Sequence, residues 1–196
     1  MIIIADKVAK SFMDTGKKYN CEFDLVKISK IDRNQVISSL KNIAKYLESP
    51  NRKAIVYYFG HGDQIRDGNG DEPDRKDEIW RTQNIVDDVI TSIFANINIK
   101  SYLFLFSDSC SSGSMIDNNN KKNWVTISSS NDIQDSLAMS DGGVFTVYGL
   151  IPALSQLQII TPKTIHDYIL KAIDIPSQTS ILRSGQQRVV NIGLFD

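Results

Sequence analysis

His61 and Cys110 are the two residues of this sequence whose types and positions best suit nucleophilic chemistry. His61 follows the apolar run KAIVYYFG and is flanked by Gly60 and Gly62. Cys110 ends a second apolar run, SYLFLFSDSC, and small polar residues follow it. A thiolate is a strong nucleophile, and a nearby imidazole can take its proton and later return it to a leaving amine. The two residues therefore predict cysteine-based catalysis.

The two apolar runs predict strands that would place these residues together. Short runs of β-branched and aromatic residues are typical of buried strands in a parallel sheet. The carboxyl ends of parallel strands share one edge, where ligands bind in α/β proteins. If the two strands are neighbours, His61 and Cys110 face each other across that edge. Gly62 and the small residues after Cys110 would let backbone N–H groups approach a developing oxyanion.

Helical and strand patterns alternate along the whole chain. Helical spacing occurs at 6–20, 32–49, 85–97 and 161–173, strand patterns occur at 21–28, 53–60, 101–108, 123–130 and 186–195, and 142–154 is typical of a strand that runs into a helix. This alternation predicts an α/β fold with a mostly parallel sheet of about six strands, flanked by helices on both faces. Residues 1–196 are expected to form a single domain, since 196 residues suffice for one sizeable core.

Composition excludes several classes of protein. Hydrophobic residues make up 41% of the chain and charged residues 23%, values typical of a globular protein in water. A net charge of -1 lacks the basic footprint of a nucleic-acid-binding protein. No apolar run approaches the ~18 residues of a membrane helix, and the opening MIIIADK is too short for a signal peptide. Two cysteines do not make a disulfide framework and fit a reducing compartment, so a cytoplasmic location is expected.

Residues 63–88 are strongly acidic, with nine Asp and Glu against four Arg and Lys. A local net charge near -5 indicates either a cation site or a solvated acidic loop. An EF-hand is a weaker alternative, since Asp67, Asp71 and Glu78 occupy loop positions one, five and twelve. However, Glu72 takes the sixth position, where an EF-hand needs glycine, and no helical pattern precedes the loop.

Several segments resemble the metacaspase branch of the caspase-like cysteine peptidases. The segments are YYFGHGDQ, DEPDRKDEIW, VDDVI, FSDSCSSGSMID, ISSSNDIQDS and GGVFTVYGLIPAL. The resemblance implies a caspase-like three-layer sandwich and an endopeptidase that acts through a thioester acyl-enzyme. It makes His61 the general base and acid and Cys110 the nucleophile. The backbone N–H groups of Gly62 and Cys110 would form the oxyanion hole.

The resemblance also implies a substrate pocket for a basic side chain, with Asp108 and Asp6 as its carboxylates. Two carboxylates suit Arg or Lys because a guanidinium engages them through paired, charge-assisted hydrogen bonds. The expected substrates are therefore polypeptides with Arg or Lys at the cleavage position, and the expected enzyme is a monomer.

Calcium activation is a further implication of the resemblance. The matching ligands are Asp77, Asp87, Asp88 and Asp117. A set of oxygen ligands suits a hard cation such as Ca²⁺, and no organic cofactor is implied.

The chain departs from the family pattern at identifiable positions. Phe59 replaces a serine two residues before the histidine, and Ser109 and Ser111 replace the cysteine and histidine beside the nucleophile. Only MIII precedes the segment that contains Asp6, where the family has a full first strand. Two alternatives therefore stay open, namely a catalytically silent caspase-like domain with a binding or regulatory role, and an unrelated calcium-binding module.

Overall fold

The computed structural model describes residues 2–28, 32–70, 72, 74–116 and 122–195. Its elements in chain order are α1 (Ile2–Lys18), α2 (Arg33–Leu47), β1 (Lys53–Phe59), β2 (Gly62–Arg66), β3 (Lys76–Trp80), β4 (Ile85–Val86), α3 (Asp87–Ile93), β5 (Tyr102–Asp108), β6 (Trp124–Ser128), β7 (Ala138–Met139), β8 (Gly142–Gly143), a π-helix (Phe145–Leu150), α4 (Ile151–Gln156), α5 (Pro162–Ala172), β9 (Ile181–Ser184) and a 3₁₀-helix (Gln187–Asn191).

The main sheet has the spatial order β1-β5-β6-β9. Strands β1, β5 and β6 are parallel, and β9 runs antiparallel to β6. The mixed, mainly parallel sheet and its flanking helices confirm the predicted α/β class. Within the described ranges this sheet has four strands, where the sequence suggested about six.

Strand β5 separates two hydrophobic cores. Phe104 and Phe106 face one core together with residues of α1, α4 and α5, whereas Leu103 and Leu105 face the other with residues of α2 and α3. Successive side chains of a strand point to opposite faces, so an apolar run fills both cores at once. Each fully buried side chain of this kind contributes about 1.5–3 kcal/mol. This burial holds the carboxyl end of β5 in place.

Two predicted strands of the main sheet have other conformations. Residues 21–28 are irregular, and the side chains of Leu25 and Val26 are 53% and 65% exposed. Residues 187–191 form the 3₁₀-helix, in which the adjacent Val189 and Val190 are both buried. A strand would point consecutive side chains to opposite faces, so a helical turn is what buries both valines against one core. The antiparallel edge strand comes instead from Ile181–Ser184.

Side chains cap the N-termini of two helices. The Asp32 side chain caps α2 by accepting the backbone N–H groups of Asn34 and Gln35. Thr161 caps α5 by accepting the N–H of Thr164. Such caps are worth about 1 kcal/mol each because they satisfy otherwise unpaired donors.

The acidic stretch forms an antiparallel hairpin of β2 and β3, extended by the short β4. Strands on both sides of the acidic loop exclude the EF-hand alternative, which requires flanking helices. Four consecutive residues of β3, from Asp77 to Trp80, are buried, so the stretch is not simply a solvated loop. The Trp80 ring stacks on Tyr58 of β1 at 4.3 Å between centroids, which attaches the hairpin to the main sheet.

Within the described ranges, the helices lack the length and apolar character needed to cross a lipid bilayer.

Candidate active site

His61 and Cys110 lie at the same edge of the main sheet. The parallel register of β1 and β5 pairs Phe59 with Asp108, and each candidate residue lies two positions beyond this pair. The N–H of Gly60 continues the pairing by donating to the carbonyl oxygen of Asp108 at 3.3 Å. The condition that the two strands are neighbours is therefore met.

The backbone of Gly62 lies directly against the backbone of Cys110. A Cβ atom at position 62 would overlap the Cys110 carbonyl oxygen and would lie 3.1 Å from the Cβ of Ser109. The turn after the nucleophile is also tight, since Ser111 has a left-handed φ of 44°. Only glycine allows this approach, and it brings together the two backbones from which oxyanion donors were predicted.

The Cys110 thiol is half-buried and lies beside the segment that follows β6. Its Sγ accepts the backbone N–H of Ser136 at 3.3 Å. Burial raises the pKa of the thiol, the Ser136 N–H opposes that rise, and the negative charge of Asp135 adds to it. These surroundings thus favour the neutral thiol more than water does.

The His61 side chain is exposed at the same edge. Its position is fixed through its backbone, because its carbonyl oxygen accepts the Tyr58 hydroxyl at 3.0 Å and the Arg81 N–H at 2.9 Å. In the described structure the thiol bonds to the Ser136 backbone rather than to the imidazole. The arrangement thus brings base and nucleophile to one edge without a direct hydrogen bond between them.

Asp108 ends β5 and is only 2% exposed. Its Oδ1 accepts the Ser136 hydroxyl at 2.9 Å, and its Oδ2 accepts the Thr146 hydroxyl at 2.6 Å. A Cβ at Gly143 would overlap the carboxyl group, so glycine is required there as well. Burial raises the pKa of Asp108, although these hydroxyl donors oppose the rise.

Asp6, the second predicted pocket residue, is exposed on α1 and forms an ion pair with Lys27. The two carboxyl groups therefore have separate partners in this arrangement. A pocket shared by Asp6 and Asp108 stays a prediction.

Ser136 is a site residue that sequence reasoning missed. Its backbone N–H contacts the candidate nucleophile, and its hydroxyl contacts Asp108. It lies 26 residues beyond Cys110 in the chain, and a serine in a polar segment carries no signal of its own. The segment ISSSNDIQDS was recognised by resemblance, but only the fold shows which of its serines reaches the site.

Three of the four predicted calcium ligands lie in or beside the acidic hairpin, whereas Asp117 lies outside the described residues. Asp87 is buried and accepts the backbone N–H groups of Glu78 and Asp88 at 2.9 and 2.8 Å. Asp77 accepts the N–H of Gly68 at 3.3 Å. Asp88 is half-buried, and its carboxylate accepts an amide N–H of Asn69.

A carboxylate cluster within the described ranges joins Asp87 to two glutamates that were not predicted. One carboxylate oxygen from each of Glu72, Glu78 and Asp87 lies within 4.8 Å of the others. Burial raises the pKa of Glu78, with the charge of Asp132 adding to the effect. A cluster that offers only oxygen atoms fits a hard divalent cation. Glu78 was visible to sequence reasoning only as part of the rejected EF-hand.

The acidic hairpin is joined to the nucleophile turn, residues 109–116, by side-chain hydrogen bonds. The Ser114 hydroxyl lies between the carboxylates of Glu78 and Asp132, 2.8 Å from the latter. On the other side of the turn, the Trp80 indole N–H donates to the Ser107 hydroxyl at 3.2 Å. Strand β3 therefore contacts the chain on both sides of Cys110.

The chain resembles known proteins in sequence and in fold. A family model described as "Metacaspase, peptidase C14 domain" matches residues 11–119, a range that contains both candidate catalytic residues. No curated protein sequence matches the chain with significance.

Among solved structures, the protein GSU0716 from Geobacter sulfurreducens superimposes with a TM-score of 0.75 at 21% sequence identity. The alignment covers 96% of this chain and 88% of that one. At this identity the likeness shows the fold alone, and it extends over nearly the whole chain.

Proposed function

The chain belongs to the metacaspase family of C14 peptidases, and from this premise we propose that it is a cysteine endopeptidase that cleaves after Arg or Lys and is activated by Ca²⁺. The observation that carries the proposal is the register of β1 and β5, which puts His61 and Cys110 at equal positions beyond one strand pair. The family includes polypeptide hydrolases, so polypeptides are the substrate class.

The proposed reaction has two stages. The Cys110 thiolate attacks the carbonyl carbon of the scissile peptide, forming a C–S bond after its proton has passed to His61. His61 gives that proton to the leaving amine as the C–N bond breaks, which leaves a thioester on the enzyme. A water that His61 deprotonates then attacks the thioester, releasing the acid and restoring the thiol. The backbone at Gly62 and Cys110 would stabilise the oxyanion in both stages.

Asp108 supports the preference for basic residues. It is a buried carboxylate on the nucleophile's own strand, two residues before Cys110, and so lies close to where a substrate side chain would enter. A guanidinium or ammonium group would neutralise it there through a charge-assisted hydrogen bond. An acidic substrate side chain would instead bring a second negative charge to a buried site and be rejected.

The acidic hairpin supports the proposed dependence on calcium. Glu72, Glu78 and Asp87 would hold the ion, since their oxygens already lie within 4.8 Å of one another. The ion would supply positive charge that relieves repulsion among these carboxylates and fixes the hairpin. Asp77 and Asp88 flank two of these residues in the chain and remain candidate ligands, as does Asp117.

A cytoplasmic, monomeric protein is part of the same proposal. Both cysteines are free in the structure, as a reducing compartment would keep them.

Cleavage of short fluorogenic peptides ending in Arg, Lys or Asp tests the proposal. The assays would contain millimolar Ca²⁺ or a chelator, with Cys110→Ala as the control. We expect hydrolysis after Arg and Lys only, a loss of rate on chelation, and a loss of at least about 10³-fold in the variant. A folded wild-type protein that cleaves none of the peptides would instead establish the silent caspase-like domain.

A further inference from the structure

We propose that Ser136 is a latch, a residue that both closes the Asp108 pocket and restrains the Cys110 thiol. A cationic side chain that enters the pocket therefore displaces Ser136 and releases the nucleophile. This inference rests on the proposed pocket function of Asp108. It assigns Ser136 a positioning role that couples substrate recognition to the reactivity of the thiol.

The first support is that one residue contacts both groups. The Ser136 hydroxyl donates to Asp108 Oδ1 at 2.9 Å, while its backbone N–H donates to Cys110 Sγ at 3.3 Å. The two contacts leave from the same short stretch of backbone. A displacement of the Ser136 backbone therefore changes both contacts.

The second support is that the Asp108 carboxylate is closed in this arrangement. With 2% exposure and hydroxyl donors on both oxygens, it offers no free face to an incoming guanidinium. One of the surrounding groups must move before a substrate side chain can pair with it.

The third support is that Ser136 is less buried than Thr146 and Gly143, which also contact Asp108. Thr146 has 0% exposure and is held further by a 2.7 Å hydrogen bond to the Tyr57 hydroxyl. Gly143 is also buried. Ser136 is only half-buried, and its neighbours Asp135 and Leu137 are exposed. The route to Asp108 therefore passes through Ser136.

The resting position of this segment is defined by contacts at both of its ends. The Gln134 carbonyl accepts the N–H of Ser111 at 2.9 Å, and the N–H of Leu137 donates to the Gln178 side chain at 2.9 Å. Between these anchors, Asp135 and Ser136 lie over the thiol. A small outward shift there would expose Cys110 and withdraw the Asp135 charge from it, and both changes favour the thiolate. They outweigh the loss of the Ser136 N–H donor, because burial is the largest cause of the raised thiol pKa.

Alkylation of Cys110 by iodoacetamide measures the coupling without requiring hydrolysis. The 196-residue chain would be treated with N-acetyl-arginine amide, or with N-acetyl-citrulline amide as the uncharged isostere. Peptide mapping by mass spectrometry would separate Cys110 from Cys21, which serves as the internal control. We expect the arginine probe to accelerate alkylation of Cys110 at least about 3-fold relative to the citrulline probe and to leave Cys21 unchanged.

Variants then identify the residue responsible. Ser136→Ala should react at the accelerated rate without any probe and should ignore both probes, whereas Ser136→Thr, which retains a hydroxyl, should respond as the wild type does. Thr146→Val is the matched control, because it removes the other hydroxyl bonded to Asp108 but does not touch the thiol. It should keep the response to the arginine probe, and thermal unfolding would verify that each variant is folded.

Two results would overturn the latch. One is a Ser136→Ala variant that responds to the arginine probe as the wild type does, and the other is a wild type that does not distinguish arginine from citrulline. Peptide hydrolysis is scored separately. Coupled alkylation without hydrolysis would support the latch and remove the proposed peptidase, while Arg-specific hydrolysis without coupling would remove the latch alone.

Discussion

His61 and Cys110 each lie two residues beyond the same pair of register partners on adjacent parallel strands, Phe59 and Asp108. The relationship follows from the sheet itself, because both strands are held by side chains buried on two faces. Two short turns then carry the candidate base and nucleophile out of the sheet at one level. The first turn contains glycines at positions 60 and 62, and the second contains the left-handed Ser111.

The contact between these turns predicts that Gly62→Ala is severely damaging. The new Cβ would overlap the backbone carbonyl of Cys110, and backbone atoms cannot move aside as the end of a flexible side chain can. We expect a loss of about 1–3 kcal/mol in the free energy of unfolding and a fall in kcat/KM of about 10²-fold or more. Gly68→Ala is the control, since the nearest atom to its new Cβ is 3.9 Å away. Denaturant unfolding and peptide hydrolysis measure the two effects, and an active, fully stable Gly62→Ala would contradict the close approach.

The burial of Asp108 predicts that replacing it raises the stability of the protein and lowers its activity. Because burial raises the pKa of Asp108 in the folded state, the folded protein binds this proton more tightly than the unfolded chain does. The contribution of this carboxyl group to the free energy of unfolding therefore falls as pH rises from its pKa in the unfolded chain through its pKa in the folded protein. We expect Asp108→Asn to raise Tm by a few degrees near neutral pH and to reduce Arg cleavage by at least about 10²-fold.

The pH dependence of the gain in Tm distinguishes the loss of a buried charge from a general stabilisation. The gain in Tm from Asp108→Asn should shrink as pH is lowered, because the wild-type carboxyl then becomes neutral too. Asp6→Asn, at an exposed ion pair, should change Tm little at any pH. A gain that is equal at acidic and neutral pH would show that charge burial is not its cause.

The sequence predicts the parts of the fold that local pattern determines. The apolar runs at 53–60 and 101–108 predict two strands that the structure confirms, of which β5 is buried and β1 mostly half-buried. The strand predictions at 21–28 and 186–195 are wrong because hydrophobic alternation and β-propensity do not reveal whether a partner strand lies close enough to pair. At 187–191, burial of both Val189 and Val190 in the core favours a 3₁₀-helix over a strand.

The residues of the candidate site likewise fall into those that local sequence pattern predicts and those that it does not. His61, Cys110 and Asp108 follow strands in the sequence and could be named from it. Ser136 and Glu72 could not, because each enters the site from a loop whose path depends on the whole fold. Side-chain chemistry alone does not distinguish Ser136 from the other serines of its segment.

The position of Asp135 beside the nucleophile predicts a change in the pH dependence of the thiol. Its negative charge opposes formation of the Cys110 thiolate, and its carboxylate also accepts a hydrogen bond from the neutral thiol, so both effects raise the thiol pKa. Asp135→Asn removes the charge and should shift the pH midpoint of Cys110 alkylation downwards. Burial, the largest cause of the raised pKa, is unchanged by this substitution. Asp141→Asn, at another exposed aspartate, is the control, and an unchanged midpoint in Asp135→Asn would contradict the contact.

The carboxylate cluster predicts that Glu72 is a calcium ligand, although the sequence pointed to aspartates. Glu72→Gln removes one charge and one oxygen donor from the cluster, and we expect Ca²⁺ affinity to fall at least about 10-fold. Asp74→Asn removes a charge from the same hairpin but leaves the cluster intact, so it should weaken binding far less. Calorimetry would measure Ca²⁺ affinity directly, and terbium luminescence sensitised by Trp80, two residues from Glu78, would report binding at the hairpin. If Glu72→Gln binds Ca²⁺ as the wild type does while Asp77→Asn or Asp88→Asn loses it, the ion is held by the aspartates that the sequence indicated and not by the cluster.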